Sequence, residues 1–254
     1  MKFLVDTDRR RLVVGQGEER RTLDLYSAEA FHFLSRAWVK TGWGLRYSYG
    51  FTWAGRPVIQ LPEDLLRVQE VVHEVQPDVI VETGVAHGGS LVFYAGLFAA
   101  RGSGRVIGVD IEIRPHNRAA LEEHPYFERI ELVEGDSVDP AVVESVAARI
   151  RPGERVLVVL DSCHTRDHVR AELEAYAPLV TPGSYVAVAD GIMRELHDVP
   201  GGSPAWDRDN PTEAMAAFIA EHPEFEWRDP PVPFNEGEVR ERVTYWPRAW
   251  LRRR

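Results

Sequence analysis

The chain has 254 residues, 44% of them hydrophobic, and a formal net charge of −10. That is apolar material for one large α/β domain with a modest extension, and neither disulfides nor metals are needed to fold it. The single cysteine, Cys163, excludes an intramolecular disulfide and fits a reducing, cytoplasmic setting, the acidic balance disfavours a nucleic-acid partner, and no apolar run is long enough to span a membrane.

The N-terminus turns charged too early for a secretory signal. Residues 1–60 show no alternation of strand and helix, and they carry an aromatic-rich run from Trp43 through Tyr47, Tyr49 and Phe51 to Trp53. This segment reads as an N-terminal arm or lid, suited also to joining copies into a homo-oligomer, on a main domain of residues 61–254. From Pro77 a regular rhythm begins. Strands are expected at 79–82, 105–110, 129–133, 155–161 and 184–190. Helices are expected at 91–100, after Pro115, at 140–150 and at 167–179. A long polar loop (191–210), a helix (211–221) and strand candidates at 225–227 and 243–250 complete the chain. Short, continuously apolar strands separated by helices mean a parallel sheet covered on both faces, and right-handed crossovers make it a Rossmann-like, doubly wound α/β sheet.

The first of these strands runs into Glu82-Thr-Gly84-Val-Ala-His87-Gly88-Gly89-Ser90. An apolar strand, a glycine turn and a helix start are the parts of a cofactor cradle. The spacing is Gly-x-x-x-Gly-Gly and not the Gly-x-Gly-x-x-Gly that suits a pyrophosphate. With Glu82 at its mouth, the wider turn suits a ligand with positive charge and hydroxyls, for which S-adenosylmethionine is the candidate. A bare strand-to-helix turn would look similar.

Each strand ends in or beside an acid: Glu82, Asp110, Glu134/Asp136, Asp161 and Asp190. Acids favour the helix N-termini that follow strands, which explains one or two of them but poorly explains five. Asp110 is placed to accept ribose hydroxyls, and it would serve a nicotinamide enzyme equally. Asp136 and Ser137 fall where an adenine amino group would lie. Glu82, His87 and Ser90 border the methionine end of the cofactor. Asp161 and Asp190 should sit on neighbouring strands about 4.8 Å apart, where paired carboxylates share a proton or hold a divalent cation, Mg²⁺ for oxygen ligands. His164, three residues past Asp161, is a candidate general base, and His197 is a second. Solvated acids and a helix-capping histidine are the plainer reading. Cys163 is a poor nucleophile among so many acids.

The motifs Trp53-x-Gly55-x-Pro57-Val-Ile-Gln60-x-Pro-Glu-Asp64, Glu82 to Ser90, Asp161-Ser-x-His164 and Glu221-His-Pro-Glu-Phe225 resemble those of the cephalosporin hydroxylase/rhamnosyl O-methyltransferase family. The resemblance runs from about residue 40 to 228. It implies the class I S-adenosylmethionine-dependent methyltransferase fold and O-methylation of a deoxysugar, as in TDP-rhamnose O-methyltransferases of enediyne biosynthesis. It further implies metal ligands at Asp161 and Asp190 and a small sugar or sugar-nucleotide acceptor. Relatives often place two acids together after strand five, whereas here Ala189 and Gly191 flank Asp190, so Asp198 or waters would complete the shell. A β-lactam hydroxylase component and a noncatalytic ligand-binding subunit remain as alternatives.

Overall fold

The computed structural model describes residues 2–254. The first sixty residues, where no alternation of strand and helix was expected, hold several elements. Strands β1 (Phe3–Asp6), β2 (Arg11–Val14) and β3 (Arg21–Asp24) form an antiparallel sheet. Helix α1 (Ala28–Gly44) starts at Ser27, whose hydroxyl accepts from the Ala30 amide, and Leu12, Val14 and Ala30 make a small separate core. A hairpin of β4 (Phe51–Trp53) and β5 (Arg56–Val58) leads to α2 (Pro62–Val75). That helix has Pro62 in its first turn and buries Leu65, Val68, Val72 and Val75 on one stripe.

The main sheet is built from β6 (Val79–Thr83), β7 (Arg105–Asp110), β8 (Ile130–Glu134), β9 (Val156–Leu160), β10 (Tyr185–Val188), β11 (Phe225–Trp227) and β12 (Trp250–Arg253). Their order is β11-β12-β10-β9-β6-β7-β8, with β12 antiparallel to both its neighbours and the remaining pairs parallel. Between the parallel strands run α3 (Gly89–Arg101), α4 (Pro115–Glu122), α5 (Pro140–Ala147) and α6 (Arg166–Tyr176), and α7 (Pro211–Glu221) precedes β11. Alternate residues of each strand serve opposite faces. Ile80, Leu157 and Ala187 pack with α2 and α3, while Val79, Val81, Val158 and Val186 pack with α6 and α7. Wholly apolar strands are therefore required, and β6, β9 and β10 are fully buried. The chain turns outward from β6 in both directions, so the switch in strand order lies between β6 and β9, the place where doubly wound sheets take their ligands.

Two expectations need correction. The last strand lies at Trp250–Arg253 and not at 243–250: Pro247 has no amide to donate and Arg248 sits at φ 55°, so the ladder begins only where Trp250 meets Ala187. The stretch after β10 is not a polar loop throughout. It opens with a 3₁₀ turn, Gly191–Glu195, that buries Ile192 and Met193. The arm is also more embedded than a free lid. Trp43 packs edge-on against Trp206 and Tyr245, and Trp53 packs likewise on Phe93. One face of α1 is tied to the later chain at the surface through His32–Glu241, Arg36–Glu195 and Lys40–Asp198 contacts. Among the described residues no helix is long and apolar enough to cross a membrane.

Candidate active site

At the switch point the glycine turn meets the end of β9. Gly84 has φ 91°, and a Cβ there would stand 2.1 Å from the Asp161 carbonyl oxygen. Gly89 faces the Pro57 carbonyl at 2.0 Å in the same sense, and Gly88, at φ 78°, faces the Leu121 side chain. These glycines are demanded by close packing of backbone on backbone as well as by torsion. Asp110 Oδ2 accepts from the amides of Val85 and Ala86 at 2.7 and 3.0 Å, which fixes the turn across two strands. One oxygen of the expected ribose ligand is thus already engaged.

A cavity of about 270 Å³ opens beside the turn, lined by Gly84, Asp110, Asp136, Ser137, Asp161 and Cys163 among others. Four of the residues expected around a cofactor therefore share one space. Glu82 does not join them. It is fully buried beneath the turn, where Ser90 Oγ donates to Oε2 at 2.6 Å and Tyr94 Oη to Oε1 at 2.9 Å. Burial pushes its pKa well up, and the nearby Asp161 charge adds to the rise. Glu82 and Ser90 form a strut under the turn instead of its mouth, because the strand's alternation points position 82 into the α3 face. His87 is half-buried, and its carbonyl is held by the Arg56 guanidinium.

Across the switch point, Asp161, His164 and Asp190 offer ligand atoms that all lie within 4.8 Å of one another. His164 Nε2 is 3.4 Å from Asp190 Oδ2 and 4.0 Å from Asp161 Oδ1. The three side chains are only a fifth to a quarter exposed. Burial raises the pKa of Asp161 to about 7, helped by Asp190 beside it, and burial raises Asp190 to about 7 as well. Burial lowers that of His164, leaving a neutral imidazole aimed into the cluster. Two carboxylates pressed together out of water lack a compensating charge, and their donor set with one imidazole fits a divalent cation such as Mg²⁺ or Mn²⁺. Asp190 itself holds φ 55°, a left-handed conformation that turns its side chain back over β9.

Two of the expected participants stand apart. Asp198 is 65% exposed and lies near Lys40, away from the two carboxylates, and the third group beside them is His164. His197 is exposed, with Nδ1 3.3 Å from the Arg194 carbonyl, and it lines a different cavity.

Other contributors went unnoticed in the sequence. Gln60 is buried and donates from Nε2 to Asp161 Oδ2 at 3.0 Å, leaving Oδ1 toward His164. Ser162 donates to the fully buried Glu172, which also faces His168 at 3.4 Å and raises its pKa. Gln60 stood within a recognised motif, but nothing local tied it to a residue 101 positions away.

A family model described as Rhamnosyl O-methyltransferase/CmcI matches residues 45–254. A rhamnosyl O-methyltransferase of Mycobacterium tuberculosis is 30% identical over 203 residues, covering 77% of this chain and 74% of that protein. In fold, the chain is similar to an apo structure of CmcI (TM-score 0.55, 21% identity, 81% of this chain and 76% of that one). It is similar also to a structure of CmcI with Mg and SAM (TM-score 0.53, 20% identity, 81% and 77%).

Proposed function

The chain belongs to the rhamnosyl O-methyltransferase/CmcI family, and on that footing we propose that it carries the methyl group of S-adenosylmethionine to a hydroxyl of a deoxysugar. The observation that carries this reading is the Asp161–His164–Asp190 cluster beside the glycine-turn cavity, at the strand switch point. The cavity takes the methyl donor, with Asp110, Asp136 and Ser137 along its wall. Asp161 and Asp190 would hold a divalent cation, which would supply Lewis acidity that makes the acceptor hydroxyl easier to ionise. Gln60 donates to one oxygen of Asp161 and so holds that carboxylate in place. The neutral His164 imidazole takes the hydroxyl proton at Nε2. The acceptor oxygen would bond to the methyl carbon in line as the methyl–sulfur bond breaks, its electron pair leaving on the sulfur of S-adenosylhomocysteine, and holding the two reactants together would supply several kcal/mol of the acceleration.

The acceptor we infer is a TDP-rhamnose-like nucleotide sugar or a rhamnosyl glycoside. Labelled S-adenosylmethionine incubated with deoxysugar nucleotides and glycosides, with and without EDTA, tests this. Labelled methyl ether that disappears with EDTA is the expected result, and none on any hydroxylated acceptor overturns it. A hydroxylase role is disfavoured by the donor set, which has one imidazole where an oxygenase iron site has two.

Residues 1–60 serve as the arm that joins copies of the chain. Among the described residues, ten of the fourteen exposed large apolar side chains fall before residue 54, Phe3, Leu4, Tyr26 and Tyr49 among them. A monomer in sedimentation would refute that assignment.

A further inference from the structure

Helix α6 carries a polar stripe on its inner side: His168, Glu172 and Tyr176, each one turn after the last. Glu172 and Tyr176 are fully buried, and Glu172 Oε2 has no hydrogen-bond partner among the described residues. A carboxyl group is costly to place there, and buried titratable groups of this kind gather at functional sites. The stripe grips two loops that wall the glycine-turn cavity. Tyr176 Oη donates to the Ser137 carbonyl at 2.8 Å, and Ser162 Oγ donates to Glu172 Oε1 at 2.7 Å. Between them, His168 Nε2 lies 3.2 Å from Ser137 Oγ, 3.4 Å from Ser162 Oγ and 3.4 Å from Glu172 Oε1. Ser137, Ser162 and His168 all line the cavity, as does Asp136.

A serine, a histidine and a glutamate this close have the makings of a nucleophile triad, but the geometry excludes one. Ser162 and Glu172 both approach the same ring nitrogen, so no relay runs through the imidazole. The contacts instead fix where the protons lie. Ser162 gives its proton to Glu172, so both groups turn only lone pairs toward His168. Nε2 must therefore carry a hydrogen. Ser137 Oγ meets that N–H as an acceptor, which leaves its own proton free to point into the cavity. Asp136, one residue earlier, accepts the Val138 amide through Oδ1 at 3.1 Å, and its Oδ2 has no partner among the described residues.

We propose that His168, held by Glu172, orients the Ser137 hydroxyl as the donor to an adenine ring nitrogen beside the exocyclic amino group, while Asp136 accepts from that amino group. The assignment rests on the methyl-donor reading of the cavity and adds to it how the base is told from its isosteres. An acceptor next to a donor complements an amino group next to a ring nitrogen, whereas a hypoxanthine carbonyl would face the Asp136 carboxylate. His168 and Glu172 are positioning residues, acting through Ser137 without touching the cofactor.

The test is calorimetric titration of S-adenosylhomocysteine and of its 1-deaza and 7-deaza analogues, each of which keeps the amino group and lacks one flanking ring nitrogen. The wild type should lose about tenfold in affinity on one analogue and little on the other. Ser137→Ala and His168→Leu should bind that analogue as well as the parent, and His168→Gln, which keeps an N–H near the same place, should restore the preference. In the Ser137→Ala background, His168→Leu should change affinity by less than about twofold, because its effect passes through the hydroxyl. Glu172→Leu, which frees the Ser162 proton to face Nε2, makes the same measurement if His168→Leu does not fold. No loss by the wild type on either analogue, or an equal loss in His168→Leu, would overturn the proposal. Wild type that fails to bind S-adenosylhomocysteine brings down the methyl-donor reading itself, and the proposal with it.

Discussion

The two halves of the site are made of different material. On the β6–β7 side, geometry is set by backbone: Gly84 and Gly89 admit no Cβ, and Asp110 ties the turn amides in place. On the β9–β10 side it is set by three partly buried side chains whose charges are poorly compensated. The first half is bound up with folding and tolerates little change. The second works against folding, since desolvated like charges sit together, and such strain is characteristic of groups kept for chemistry.

The sharpest way to break this contrast is Gly84→Ala. A side chain at φ 91° against the Asp161 carbonyl should cost roughly 3–5 kcal/mol and leave little folded protein in a thermal melt. A normal melt with only cofactor binding lost would mean that the glycine serves the ligand and not the packing. Asp161→Asn should do the reverse. Methyl transfer falls about a thousandfold, roughly 4 kcal/mol, while the melting temperature holds or rises as a desolvated carboxylate is removed. A fall in melting temperature would place the cluster among the structural contacts.

His164→Gln comes next, with kcat down about a hundredfold and Mn²⁺ affinity, followed by electron paramagnetic resonance, within about threefold of wild type. Loss of the metal along with activity would make His164 a ligand and remove it as the base. The pH dependence of stability sharpens the same contrast. Asp64, Asp161 and Asp190 have pKa values pushed to about 7, so the folded chain retains protons that the unfolded chain gives up above about pH 4. Stability without metal should therefore be greatest near the acid end of that window and decline as pH rises through about 7. Mg²⁺ should offset the decline from the cluster but not that from Asp64. Urea unfolding across the range with and without Mg²⁺ reads this directly, and stability independent of pH across the window would show the acids to be well solvated. Smallest of all, His197→Ala should leave kcat/KM within about twofold, since its ring lies off the cluster. A large loss would restore it as a base.

What could be read in advance follows from distance along the chain. The parallel strands, their order of appearance, the glycine turn and the acids that close each strand are local patterns of apolar runs and breakers, so β6 to β10 fell close to their expected places. Asp161 and Asp190 were legible because a strand end projects its next residue toward the switch point. The arm's strands were not legible: β1, β2 and β3 are short and half-exposed, with a core of three buried residues.

Sequence alone thus determined that this is a doubly wound α/β chain with a glycine turn and carboxylates at one sheet edge, because backbone preference and apolar periodicity act over a few residues. Only the tertiary structure decided that Glu82 is a strut, that Gln60 reaches Asp161 from 101 positions away, that Asp64 grips Thr244 and Tyr245, and that His164 rather than His197 faces the acids. Those contacts join segments with no shared local pattern. They exist because buried polar groups must find partners wherever folding places them.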